Sequence, residues 1–364
     1  MAGPTLPELL AERRILVCCG SGGVGKTTTA AALALEAARL GRRAVVVTID
    51  PAKRLADALG LAGLTGTPSK IDGPWPGELW ALMLDTKSTF DDLVVANAGS
   101  PEQGQRILGN KFYRNISGAL SGTQEYMAME KLYELNQQTD FDLIVVDTPP
   151  TRNALDFIDA PRRLSRFLDH RLFRMITSPG RGIVKAVNVA AQTFFRTVSR
   201  VVGAEVIDDA IAFFQAFEGM EQGFRDRAEA VLELLSDDDT AFVLVASPRR
   251  DTIEEARFFA EKLAEASISV RALIVNRMHP PFGDGLAEAT AARAGTLEGT
   301  DLGGLYRNLA DFQLVASREE HHVAGLAAVV APAPAVRVPF LSTDVHDLDG
   351  LTEVAQHLLR HAEP

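Results

Sequence analysis

Gly20-Ser21-Gly22-Gly23-Val24-Gly25-Lys26-Thr27-Thr28 follows the apolar run Ile15-Leu16-Val17-Cys18-Cys19 and leads into an Ala-rich segment. The stretch fits G-x-x-x-x-G-K-[ST] in the context that this pattern requires, a strand, a turn and then a helix. Glycines let the backbone wrap closely around a phosphate chain because no Cβ stands in the way. Amides of the loop and of the following helix N-terminus supply fixed donors to an anion. On this reading Gly22, Gly23, Val24, Gly25, Lys26, Thr27 and Thr28 bind the nucleotide. Lys26 reaches the β- and γ-phosphates, and the Thr27 hydroxyl sits on Mg²⁺.

Further short apolar runs recur along the chain, at 44–49, 80–84, 143–146, 242–246, 272–275 and 336–340. Helical patterns separate most of them. Strands buried on both faces and alternating with helices indicate an α/β fold with a mostly parallel central sheet covered by helices on both faces. Such sheets take ligands at the carboxyl ends of their strands. The alternation fails at 161–236 and again at 88–138, which read as helical insertions forming a subdomain within a single P-loop domain spanning 1–364. Ile207, Ile211, Phe214, Phe217, Phe224, Ala228, Val231 and Leu235 recur at three- and four-residue spacing in one apolar stripe. That stripe is either the packed core of the subdomain or a groove for a client.

The chain has 364 residues, 46% of them hydrophobic and 23% charged, with a net charge of −11. These values suit a globular protein with a sizeable core and argue against general nucleic-acid binding. Cys18 and Cys19 are the two cysteines. Neighbours on a strand point to opposite faces, so they read as small core residues of a reducing compartment rather than a disulfide or a metal site. The first residues lack an apolar signal-peptide core, and no apolar run is long enough to span a bilayer. The expected location is cytoplasmic, with peripheral attachment at a membrane as the alternative. Between 162 and 200 the charge balance reverses locally: Arg162, Arg163, Arg166, Arg171 and Arg174 begin a basic series that faces Asp169 alone. A basic amphipathic segment of this kind lies on anionic lipid, grips a partner helix, or is a solvated face.

Asp147 ends the run Leu143-Ile144-Val145-Val146 and has the placement of a Walker B carboxylate that holds the Mg²⁺ shell. Asp50 ends the run Val45-Val46-Val47-Thr48-Ile49 and precedes Pro51. It reads as a helix cap, as the catalytic carboxylate that orients water and helps hold the metal, or as both. Asn276 follows Leu273-Ile274-Val275, and its amide suits the N6/N7 edge of adenine. The N/T-K-x-D signature of guanine readers is absent from Asn110-Lys111-Phe112-Tyr113 and from Thr86-Lys87-Ser88-Thr89, so ATP is favoured over GTP.

Taken together, Gly20–Thr28, Thr48-Ile49-Asp50-Pro51-Ala52, Asp147-Thr148-Pro149-Pro150-Thr151, Val275-Asn276-Arg277 and Val338-Pro339-Phe340 resemble the ArsA/Get3 family of ATPases, in the MinD/SRP-like branch of P-loop NTPases. The resemblance runs from about residue 13 to 355 and is nearest to bacterial members with Ser in the P-loop. It implies that Asp50 is the water-positioning carboxylate, Asp147 the switch II residue, and Asn276 and Pro339 neighbours of adenine. It further implies ATP and Mg²⁺ as cofactors, and a homodimer or a heterodimer with a paralogue. The implied output is transport of metalloid anions through a membrane partner, or shielding of hydrophobic membrane-protein tails. Family members usually carry a signature Lys where this chain has Ser21, and a hydroxyl cannot supply that cation. Arg152 is one substitute, and a Lys-bearing paralogue is another. Both cysteines precede the P-loop, which disfavours arsenite as cargo. The expected function is therefore an ATPase whose nucleotide state switches a dimer around a hydrophobic or membrane-linked client. The rival readings are a regulatory subunit with little hydrolysis of its own and a membrane-surface partitioning ATPase.

Overall fold

The computed structural model describes residues 3–49, 54–116, 123–148 and 212–360, together with residues 160 and 209. The expectations for Asp50, for Arg152 and for the basic series between 162 and 200 fall outside the described residues. The chain divides into two compact units. One comprises Met1–Met83, Glu134–Leu155 and Ser236–Pro364, and the other Leu84–Tyr133 and Asp156–Leu235.

The first unit is built on an eight-stranded sheet. Its strands are β1 (Ile15–Cys19), β2 (Arg43–Thr48), β3 (Ser69–Ile71), β4 (Glu78–Met83), β5 (Leu143–Asp147), β6 (Thr240–Ala246), β7 (Val270–Met278) and β8 (Ala335–Pro339). Their order is β3-β4-β2-β5-β1-β6-β7-β8, and every pairing is parallel except that of β3 with β4. β1, β5 and β6 are buried along their whole length, which is why they read as unbroken apolar runs rather than alternating ones. The register sets Cys18 and Thr48 on either side of Asp147, so β1, β2 and β5 end level with one another at their carboxyl ends.

The helix Lys26–Arg39 follows β1 directly and is rich in alanine. Ala30, Ala31, Ala32, Ala34, Ala37 and Ala38 are fully buried, and such small side chains let the helix lie close against the sheet. Leu33 and Leu35 fill the remaining space, each contributing about 1.5–3 kcal/mol of apolar burial. The helix Leu6–Glu12 begins with a capping box between Thr5 and Glu8 and buries Leu6, Leu9 and Leu10. Arg42 ties its end down by donating to the carbonyls of Leu10 and Arg13 at 2.6 and 2.7 Å, and to that of Asp142. A helix of 30 residues, Asp301–Val330, precedes β8 and starts on a Thr300 cap.

In the second unit, helices Thr86–Asn97 and Pro101–Gly109 start on Asp85 and Ser100, whose side chains accept from amides of the first turn. Its core is aromatic. The Phe213 ring lies 5.9 Å from that of Tyr113 and 5.1 Å from that of Phe217, and Phe217 lies 5.2 Å from Phe224. Phe224, Ala228, Val231 and Leu235 are buried on one face of the helix Glu221–Ser236. The described part of the apolar stripe is thus packed inward, and Gly219 (φ 84°) separates Phe214 and Phe217 from Phe224 and the residues after it. Glu130 is buried and accepts from Arg227 at 2.7 Å, while the Arg227 guanidinium stacks 4.2 Å above the Tyr133 ring. Among the described residues, no helix is long and apolar enough to cross a membrane.

Candidate nucleotide-binding site

The loop between β1 and the helix Lys26–Arg39 depends on three glycines with positive φ: Gly20 at 146°, Gly23 at 77° and Gly25 at 94°. Two of them also sit against neighbouring strands. A Cβ on Gly20 would lie 2.1 Å from the Val245 carbonyl oxygen of β6, and one on Gly25 would lie 2.2 Å from Asn276 Nδ2 of β7. Between them, Val24 turns its side chain into the core and pins the middle of the loop. Gly22 and Gly23 are exposed, Gly25 is half-buried, and Thr28 is half-buried in the first helical turn.

Lys26 is 6% exposed, and its Nζ donates to the Ser21 carbonyl at 2.8 Å. Burial pushes its pKa down, and the nearby Asp147 carboxylate opposes that shift. Asp147 is itself 1% exposed. Its Oδ2 accepts from the Thr27 hydroxyl at 2.7 Å and from the Thr48 hydroxyl at 2.8 Å. Thr148, the next residue, donates through its backbone and through its hydroxyl (2.9 Å) to the Cys18 carbonyl, which ties the end of β5 to β1. Both cysteines are buried free thiols, and burial raises their pKa values, Cys19 to about 12, so neither is a thiolate ligand at neutral pH.

Sequence reasoning ends a strand at Val275, whereas β7 continues to Met278, with an irregular register between Val275 and Met278. Arg277 occupies the left-handed region at φ 63°, at a cost of about 1–2 kcal/mol for a side chain with a Cβ. Asn276 Nδ2 donates to the Val24 carbonyl at 3.1 Å, and Asn276 Oδ1 accepts from the Arg277 amide at 2.9 Å. Arg277 Nη1 donates to the Gly23 carbonyl at 3.1 Å. Pro339 lies on β8 opposite Met278, followed by the exposed Phe340, whose ring stacks on His279 at 6.0 Å and 8°.

Thr27 and Thr48 therefore share the Asp147 carboxylate, Lys26 bonds to the Ser21 carbonyl with that carboxylate nearby, and Asn276 and Arg277 hold the outside of the loop. Thr48 and Arg277 stand within the quoted motifs, but sequence reasoning assigns neither a role of its own. Thr48 stands two residues before Asp50 at the end of a strand, and the parallel register alone brings it to Asp147. Arg277 has no composition signal, because a turned backbone aims it.

The arrangement suits a magnesium-bound polyphosphate. Close-packed glycines, a buried ammonium and a hydroxyl on a carboxylate are the parts needed to hold phosphate oxygens and a hard cation. Among the described residues no group of three or more His, Cys, Asp or Glu side chains could hold a metal by itself. A metal with few protein ligands and several from phosphate and water matches magnesium chemistry.

Residues 13–294 match the anion-transporting ATPase family, ArsA. The chain belongs to that family. The ArsA-family chain is similar to ATPase GET3 of Malassezia globosa, with 23% identity over 364 residues, covering 99% of this chain and 96% of the relative. It is also similar to ATPase GET3 of Podospora anserina, 25% identical over 295 residues, and of Paracoccidioides lutzii, 26% identical over 294 residues. Each of those two matches covers 80% of this chain and 81% of the relative. Membership of an ATPase family supports nucleotide binding and catalytic potential for the chain.

Proposed function

We propose that this ArsA-family chain binds Mg-ATP in the 20–28 loop and hydrolyses it. The nucleotide state would switch a dimer that shields or delivers a hydrophobic or membrane-linked client. The observation that carries this reading is the arrangement in which buried Lys26 and the pair Thr27–Asp147 converge beside a loop with no room for a Cβ at Gly20 or Gly25.

In this scheme the loop amides and the Lys26 ammonium hold the phosphate chain. Magnesium, when bound, neutralises charge developing on the transferring phosphoryl group, and the Thr27 hydroxyl and the Asp147 carboxylate are the groups that would hold it. Thr48 fixes the carboxylate's orientation, and Thr148 keeps the end of β5 registered with β1. Asp50 is assigned the orientation of the attacking water, and Asn276 and Pro339 the adenine side. Of the two outputs that the resemblance implies, client handling is preferred to arsenite transport because both cysteines, Cys18 and Cys19, are buried before the loop and offer no exposed thiolates. The −11 net charge disfavours nucleic acid as a partner.

A second reading is favoured by Ser21. The residue is 8% exposed, its hydroxyl has no hydrogen-bond partner among the described residues, and it carries no charge at the place where the resemblance implies a Lys. The chain would then be a nucleotide-binding subunit that gains turnover only beside a Lys-bearing paralogue. Steady-state phosphate release by the purified chain, alone and mixed with such a paralogue, separates the two. Lys26→Ala removes charge-assisted contacts of about 3 kcal/mol and should weaken ATP binding by about a hundredfold. Unchanged binding in that variant refutes the site.

A further inference from the structure

We propose that Asn276 and Arg277 form a latch that holds the phosphate loop from outside, with Arg277 as a positioning residue for phosphate binding; this deepens the ATP-binding reading and rests on it. A loop whose amides converge on an anion must turn its carbonyls outward, where they need donors of their own. Here the carbonyls of Gly23 and Val24 receive Arg277 Nη1 and Asn276 Nδ2, each at 3.1 Å.

Consecutive residues of a regular strand point to opposite faces and could not both reach one loop. The left-handed turn at Arg277 (φ 63°) and the irregular register of β7 remove that constraint. The Arg277 amide donates to Asn276 Oδ1 at 2.9 Å, which leaves the Nδ2 side of the amide facing Val24. The absence of a Cβ at Gly25 leaves room for that amide, since a methyl there would lie 2.2 Å from Nδ2. A cation on the Gly23 carbonyl also polarises the Gly23–Val24 peptide, so the Val24 amide on the other end of that unit becomes a stronger donor. Arg277 therefore acts on phosphate, not on the base.

The test compares wild type, Arg277→Gly, Arg277→Lys and Asn276→Ala. Glycine accepts a positive φ without strain, so Arg277→Gly removes the guanidinium while keeping the backbone turn. Calorimetry should show Arg277→Gly binding ATP and inorganic triphosphate more weakly by the same factor, roughly ten- to hundredfold for one charge-assisted bond. Arg277→Lys should recover part of the loss, and the ATP-to-GTP preference should not change. Turnover should show a raised KM with kcat intact, the sign of lost uniform binding.

Hydrogen exchange of the 20–28 segment without nucleotide supplies a readout that does not depend on ATP. Both Arg277→Gly and Asn276→Ala should speed it. Arg277→Gly with wild-type affinity and wild-type exchange overturns the latch, as does a loss confined to ATP and absent for inorganic triphosphate. Wild-type protein that ignores ATP yet shows faster loop exchange in the variants defeats the ATP reading and keeps the latch.

Discussion

Gly25→Ala probes the loop and the strand behind it in one substitution. The added methyl would occupy a residue at φ 94° and lie 2.2 Å from Asn276 Nδ2. The left-handed backbone costs about 1 kcal/mol for alanine. The methyl displaces the Asn276 amide from the Val24 carbonyl, and the lost hydrogen bond costs about 1 kcal/mol more, with a fraction of a kcal/mol for the crowding itself. Gly25→Ala should therefore destabilise the fold by about 2.5 kcal/mol and Asn276→Ala by about 1 kcal/mol. In the double variant the crowded side chain is gone, and the hydrogen bond can be lost only once. Its expected cost is about 2 kcal/mol, less than Gly25→Ala alone and well below the total of the single variants. Urea unfolding at constant m-value measures all three, and the cycle reads a coupling of about 1.5 kcal/mol. Strictly additive costs would show that the methyl and the amide do not compete, and the reasoning about the loop's outer face would fail.

ATP affinity should also depend on pH through Lys26. Burial lowers its pKa below 10.5 in the free protein, and bound phosphates, being anionic, raise it again. Affinity is then full below the free-protein pKa and falls as pH rises through it, with a slope approaching one decade per pH unit. Calorimetry from pH 7 upward checks this; affinity flat to pH 10.5 contradicts it. Arg42→Ala should loosen the N-terminal helix by removing donors from the carbonyls of Leu10, Arg13 and Asp142. The expected cost is about 2–4 kcal/mol in urea unfolding, with faster proteolysis within residues 3–13. A change under about 0.5 kcal/mol would mean that water replaces the guanidinium without loss.

The strand–loop–helix around residues 20–25 was legible because its glycine spacing dictates the turn, and the strands were legible because burial on both faces leaves unbroken apolar runs. β1 matches its expected bounds, and β5 extends by one residue to include Asp147 itself. β3 was missed: Ser69-Lys70-Ile71 is too short and polar to stand out, and it exists because β4 offers it a free edge. The helix Asp301–Val330 was also missed, since a chain exposing Leu302, Leu305 and Phe312 does not present a clean apolar stripe. The expected end of a strand at Val275 hid the turned backbone at Arg277. Residue type alone does not announce a left-handed arginine, because a tertiary contact makes it worthwhile.

The two rims of the sheet have a consequence for assembly. At one rim a three-residue antiparallel strand carries Lys70 paired with Glu78; at the other, β8 stops at Pro339 and carries Arg337 paired with Glu320. Short length, charge and proline all discourage a neighbouring chain from docking by strand addition. Strand addition at these rims is thereby disfavoured, and contact through helices and loops would leave associating copies free to part again without tearing the backbone ladder.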